Sequence, residues 1–205
     1  MNNLILASLL LITNFYFPVS ENEKTIGNLR EAFNVETTAS AKYAGYAEKA
    51  KKDGLLRIAT MFSAASKVKA IYAANFRAVL IKMGQTVTPV KPEFDIRTTR
   101  ENINDAIKGE SEGITIIYPG YISTAKMESV TDAVKSFRWA METEKKRQPV
   151  NQSMLNALNA NTANLLPNIY WVCPKCGNLY NVSKPEPSCS FCSTPSSKFF
   201  KFNDR

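Results

Sequence analysis

The chain has 205 residues, a net charge of +8 and no histidine, with 44% hydrophobic and 21% charged residues. That length holds one medium domain plus a small appendage, and the lack of imidazole excludes the commonest general base and the commonest nitrogen ligand for a metal. The basic excess reads as solvated helix faces rather than a nucleic-acid surface: Lys49, Lys51 and Lys52 gather at a helix end, and Lys145, Lys146 and Arg147 share one helical stretch with acidic neighbours.

Residues 4–17 form an apolar run interrupted by Ser8, Thr13 and Asn14, and polar Ser20, Glu21 and Asn22 follow. The run is too short to span a bilayer comfortably. It reads as a signal peptide over residues 1–20, with the exported chain, periplasmic or extracellular, beginning near Glu21 and keeping no membrane-spanning segment. An uncleaved anchor or a buried segment is the alternative, since no Lys or Arg precedes the run and Pro18 lies beside the cleavage point. No cysteine lies near it to carry a lipid.

Four segments then repeat apolar residues at steps of three and four, the period of a helix with one buried stripe. The first runs Ile26, Leu29, Phe33, Glu36, Ser40, Tyr43, Ala47, Ala50, and the second Leu55, Ile58, Phe62, Ala65, Lys69, Tyr72, Phe76, Val79, Met83. The third runs Ile103, Ile107, Glu110, Ile114, Ile117, Tyr121, Thr124, and the fourth Val130, Val134, Phe137, Met141, Glu144. Short links join the first pair and the second pair, and residues 84–98 are long enough to cross between them. The expected fold is mainly α, a four-helix bundle with one long crossover over residues 21–166. Pro149 is expected to end or kink the fourth helix, leaving 151–166 as a looser helical linker, and Pro167 opens a module over 167–205 with a core of its own.

In that module Cys173, Cys176, Cys189 and Cys192 form C-x2-C-x12-C-x2-C and use every cysteine of the chain. Two such knuckles bring four thiolates onto one metal ion. Gly177 gives the first knuckle a permissive turn, while Ser193 stands at the same place in the second. Tyr170, Trp171, Tyr180, Phe191 and Phe199 can wrap the site. Two disulfides are the alternative, and the spacing leaves iron and zinc both open.

The helical stripes also carry Glu36, Lys69, Tyr72, Glu110 and Glu144, with Arg147 three residues beyond Glu144 on the same side of its helix. Buried charges need partners, so these groups are expected to meet in one inward cluster. One carboxylate from each of three helices is also the pattern of a carboxylate metal site in a bundle.

Val35-Glu36-Thr37-Thr38-Ala39-Ser40-Ala41-Lys42-Tyr43, Lys108-Gly109-Glu110, Tyr118-Pro119-Gly120 and Tyr170-Trp171-Val172-Cys173-Pro174-Lys175-Cys176-Gly177-Asn178 together resemble the rubrerythrins, over about residues 25–202. The resemblance implies a ferritin-like domain with a non-haem di-iron centre that reduces hydrogen peroxide, followed by a rubredoxin-like domain whose tetrathiolate iron delivers electrons, commonly across a homodimer. The family's Glu-x-x-His pairs read Lys69 and Tyr72 on the second helix and Glu144 and Arg147 on the fourth, and a further carboxylate after Glu110 reads Gly113, with neighbouring Glu112 as the alternative match. Glu36, Glu110 and Glu144 are the remnant ligands. The expectation is that Lys69 and Arg147 supply the charge of the missing ions, with Tyr72 adding a hydrogen bond. The function expected is one-electron transfer through the tetrathiolate iron in peroxide defence, with an unidentified electron partner and the di-iron centre lost. A peroxide reductase using Glu36, Glu110 and Glu144, and a zinc-stapled binding module without catalysis, are its rivals.

Overall fold

The computed structural model describes residues 22–204; the apolar N-terminal run and the expected signal peptide lie outside them. Helix α1 (Glu23–Lys52) and helix α2 (Leu56–Lys82) pack along their length as an antiparallel hairpin. The first turn of α1 is closed by a tertiary contact, the Thr25 amide donating to Glu128 at 2.8 Å. Residues 85–98 cross over without regular structure. Ile96 lies against Gly45 of α1, its Cδ1 2.5 Å from where a Cβ would stand, so a larger residue at 45 would make the Ile96 side chain shift. Thr98 and Glu101 then form a reciprocal capping box that restarts the chain as helix α3 (Thr99–Glu112).

The third stripe holds as far as Glu110 and then changes phase. A π-helical turn (Gly113–Ile117) joins α3 to helix α4 (Tyr118–Met127). Its i→i+5 bonding inserts a residue into the repeat. Tyr118, Ile122 and Ala125 consequently face the core, while Ile116 and Ile117, the latter expected inside, are exposed.

Helix α5 (Thr131–Asn159) completes the bundle and continues through Pro149, ten residues past the expected end. The residues beyond the proline make contacts that hold it: Asn151 and Met154 are fully buried. Burial and a hydrogen bond there offset the backbone bond that the proline removes.

The C-terminal module is a small antiparallel sheet in the order β2 (Leu179–Tyr180), β1 (Ile169–Val172), β3 (Phe200–Asn203). The expected separate core holds for one face of the module only: Cys173, Cys176, Cys189 and Phe199 form a cluster of their own, but the other face of the sheet joins the bundle. Strand β1 alternates its side chains across the sheet. Tyr170 and Val172 are completely buried in the same hydrophobic cluster as the bundle, joined by Leu166, Leu179 and Phe202. Trp171 turns the other way, toward the cysteines. Polar ties reinforce the dock: Arg57 donates to the Leu166 carbonyl at 2.5 Å and Asn75 to the Lys175 carbonyl at 3.0 Å. Among the described residues no helix is long and apolar enough to cross a membrane.

Candidate metal centre and buried charge cluster

The two knuckles are built alike. In the first, the Gly177 amide donates to the Cys173 carbonyl at 3.0 Å and the Cys173 amide to the Asn178 carbonyl at 2.9 Å. In the second, the Ser193 amide donates to the Cys189 carbonyl at 2.9 Å and the Cys189 amide to the Thr194 carbonyl at 2.8 Å. Both turns need a left-handed residue. Gly177 supplies it at φ 76° and Ser193 at φ 56°, so the serine adopts the strained geometry that glycine takes freely.

All four Sγ atoms lie within 4.8 Å of one another, and all four cysteines are free. Cys173 stands 3.5 Å from Cys192, and Cys176 stands 3.5 Å from Cys189. An ion with metal–sulfur bonds of about 2.3 Å at the centre of a tetrahedron sets its sulfurs about 3.8 Å apart. The residues therefore fit a single tetrathiolate metal ion, and the arrangement is not that of two disulfides. Hydrogen bonding by Cys176 brings the Cys173 thiol down to about 4, and the same bond pushes the Cys176 thiol up, so Cys176 keeps the proton that the two sulfurs share and a metal ion has to displace it.

The shell around the sulfurs is partly polar. Tyr180 donates to Cys189 Sγ at 3.4 Å, and Asn178, fully buried, donates to the Tyr180 oxygen at 2.7 Å. Thr194 Oγ1 is 3.1 Å from Cys192 Sγ. Trp171, Tyr180, Phe191 and Phe199 enclose the site as expected, but Tyr170 belongs to the bundle core. Its place in the shell is taken by Trp139 of α5.

Inside the bundle, Glu36, Lys69, Glu110, Glu144 and Arg147 are all buried and do meet. Lys69 Nζ is paired with Glu144 and lies 3.1 Å from Glu36. Arg147 Nε donates to Glu110 at 2.6 Å, and its Nη2 lies 3.9 Å from Glu144. Burial opposes the charge on both cations, but the neighbouring carboxylates outweigh it and hold their pKa values above the ordinary range. Three carboxylates against two cations leave one negative charge over. Burial pushes the Glu144 carboxyl up to about 7, opposed by Lys69 and assisted by Glu36.

Gly113 makes room for this arrangement. A Cβ there would meet Glu144 Oε2 at 2.5 Å. Among the described residues, only the cysteines gather three or more ligand atoms within metal-binding reach.

Two polar roles differ from expectation. Tyr72 does not bond to a carboxylate; its hydroxyl meets Thr143 Oγ1, and its ring lies 2.6 Å from where a Cβ on Gly177 would stand. Tyr72 thus occupies the contact between the bundle and the first knuckle. The hydroxyl that does reach the cluster is that of Tyr118, which donates to Glu36 at 2.7 Å, and Asn151 donates to Glu110 at 2.7 Å. Both were missed as site residues. Tyr118 falls out of a regular stripe because of the π turn, and Asn151 lies beyond Pro149. Its spacing of four from Arg147 is the signal that could have placed it.

The profile of the Rubrerythrin family matches residues 27–148, which is most of the bundle. The chain belongs to the rubrerythrin family. It is 26% identical over 181 residues to rubrerythrin-1 of Clostridium acetobutylicum, covering 86% of this chain and 93% of that protein. It is 27% identical over 180 residues to the rubrerythrin of Porphyromonas gingivalis, covering 87% and 90%. Among solved structures, nigerythrin in its mixed-valence state superposes with a TM-score of 0.76 at 24% identity, over 86% of each chain, a likeness of fold. The architecture is that of a ferritin-like four-helix bundle followed by a rubredoxin-like domain carrying a four-cysteine metal site.

Proposed function

We propose that this rubrerythrin-family protein passes single electrons through iron held by Cys173, Cys176, Cys189 and Cys192, in the context of peroxide defence, and that its di-iron centre has been lost. The observation that carries the reading is the contrast between the two sites. Four thiols converge with no cation of the chain paired to them, whereas each inward carboxylate already faces one: Glu36 and Glu144 face Lys69, and Glu110 faces Arg147 with Asn151 beside it. An ammonium and a guanidinium inside the cluster repel incoming cations. Bound iron would supply a one-electron couple. The chain's own contribution is to exclude water with Trp139, Trp171, Phe191 and Phe199, and to donate hydrogen bonds to sulfur from Tyr180, which favour the more negative thiolate sulfurs of the reduced state. Export, a homodimer and an electron partner complete the proposal.

A second reading is supported by one feature. A cavity of about 130 Å³ is bordered by Glu36, Lys69, Tyr118 and Glu144 and also by Val35 and Tyr121, giving a small molecule a space beside the cluster. That space suits a peroxide reductase working at the carboxylates.

Metal analysis of protein purified without air separates the readings. The proposal expects about one iron per chain, red when oxidised, and no peroxide turnover that depends on further metal. Two more irons per chain, with turnover that tracks them, would overturn the loss of the di-iron centre. One colourless zinc would overturn the electron-transfer function and leave a stapled binding module.

A further inference from the structure

Cys173, Cys176 and Cys189 are buried to within 2% of completely, while Cys192 is partly exposed. Electrons therefore have their shortest way in and out beside Cys192. At that edge an open groove is lined by Pro174, Lys175, Ser193, Thr194, Pro195 and Lys198 together with Cys192. Both lysines are exposed, neither forms an ion pair among the described residues, and no carboxylate lines the groove. A third cation stands near, Lys146 of α5, whose Nζ is 4.1 Å from the centre of the Phe191 ring next to Cys192. The surface is also held in place: Asn75 of α2 bonds the Lys175 carbonyl, and the second knuckle is closed by its own backbone bonds. A rigid cationic rim around the exposed ligand of an electron-transfer site selects its partner by charge.

We propose that the Cys192 edge is a docking surface for an acidic one-electron carrier protein, whose carboxylates meet Lys175, Lys198 and Lys146. The inference rests on the electron-transfer reading above, but the docking surface can be tested apart from it. The first measurement uses zinc-loaded full-length protein, which has no redox chemistry, and titrates it with the redox-inert trianion hexacyanocobaltate(III) while backbone amide resonances are followed. The expected result is a saturable shift centred on residues 174–176 and 192–198 that disappears in the Lys175→Glu/Lys198→Glu variant. Shifts spread evenly over the lysines of the chain, or unchanged in the variant, would overturn the docking surface.

The second measurement uses the iron-loaded, reduced protein. One electron passes from the protein to hexacyanoferrate(III), giving hexacyanoferrate(II) and the oxidised site, with no proton or bond exchanged. The double variant is expected to slow this at least several-fold at low salt, and to accelerate oxidation by the cation hexaammineruthenium(III). Lys91→Glu/Lys108→Glu carries the same change in net charge away from the module and should leave both rates within about twofold of the parent. Equal effects of the two double variants would overturn the proposal by showing that only overall charge matters. A groove that binds the trianion in protein that exchanges no electron would leave the docking surface standing and sink the electron-transfer reading instead.

Discussion

At the scale of single residues, the bundle's interior is governed by a count of charge. Glu36, Glu110 and Glu144 face Lys69 and Arg147 in a space from which water is excluded, and the surplus negative charge is relieved by keeping a proton on Glu144. The native carboxyl titrates at about 7, above its ordinary value of 4.5. Between those values the folded chain holds a proton that the unfolded chain has released, so this group's contribution to stability falls as pH rises across that window. The melting temperature should therefore decline from pH 5 to pH 7, and Glu144→Gln should flatten that decline. The carboxyls with lowered values, such as Asp105 and Asp132, act at lower pH and in the opposite direction. An identical slope in the variant would show that Glu144 is not the group that holds the proton.

At the scale of elements, two irregularities decide what reaches the cluster. The π turn at Gly113–Ile117 rotates α4 so that Tyr118 can donate to Glu36. Helix α5 continues past Pro149 so that Asn151 can donate to Glu110. Removing that donor leaves a buried carboxylate oxygen without one, at a cost of about 1–3 kcal/mol. Asn151→Ala should lower stability by that amount in urea denaturation. A loss below about 0.5 kcal/mol would mean that the contact does not hold the far end of α5. The helical period was legible in four segments. The phase shift in the third and the extension of the fourth were not, since both oppose local preference and are upheld by partners distant in sequence.

At the scale of the whole molecule, the bundle and the cysteine module share part of one buried core. Tyr170 and Val172 sit in the bundle's core, Gly177 lies against Tyr72, and Trp139 of α5 packs on the cysteines. Metal binding by a small module supplies much of its folding energy, and a shared core passes that energy on. Cys176→Ser should lose the metal and also lower the melting temperature of the helices, by several degrees for each kcal/mol lost. An unchanged helical transition in the metal-free variant would mean that the two parts are energetically independent after all. Local spacing and residue type alone specify the four-cysteine site, the helical stripes as far as Glu110 in the third segment, and the identity of the inward charges, because burial does not tolerate such charges alone. Long-range packing settles which cation meets which carboxylate, that the Tyr72 hydroxyl goes to Thr143 while its ring lies between Lys69 and the knuckle, and that one face of β1 belongs to the bundle. Those outcomes depend on side chains more than 30 residues apart competing for the same buried space, and no local period records who wins.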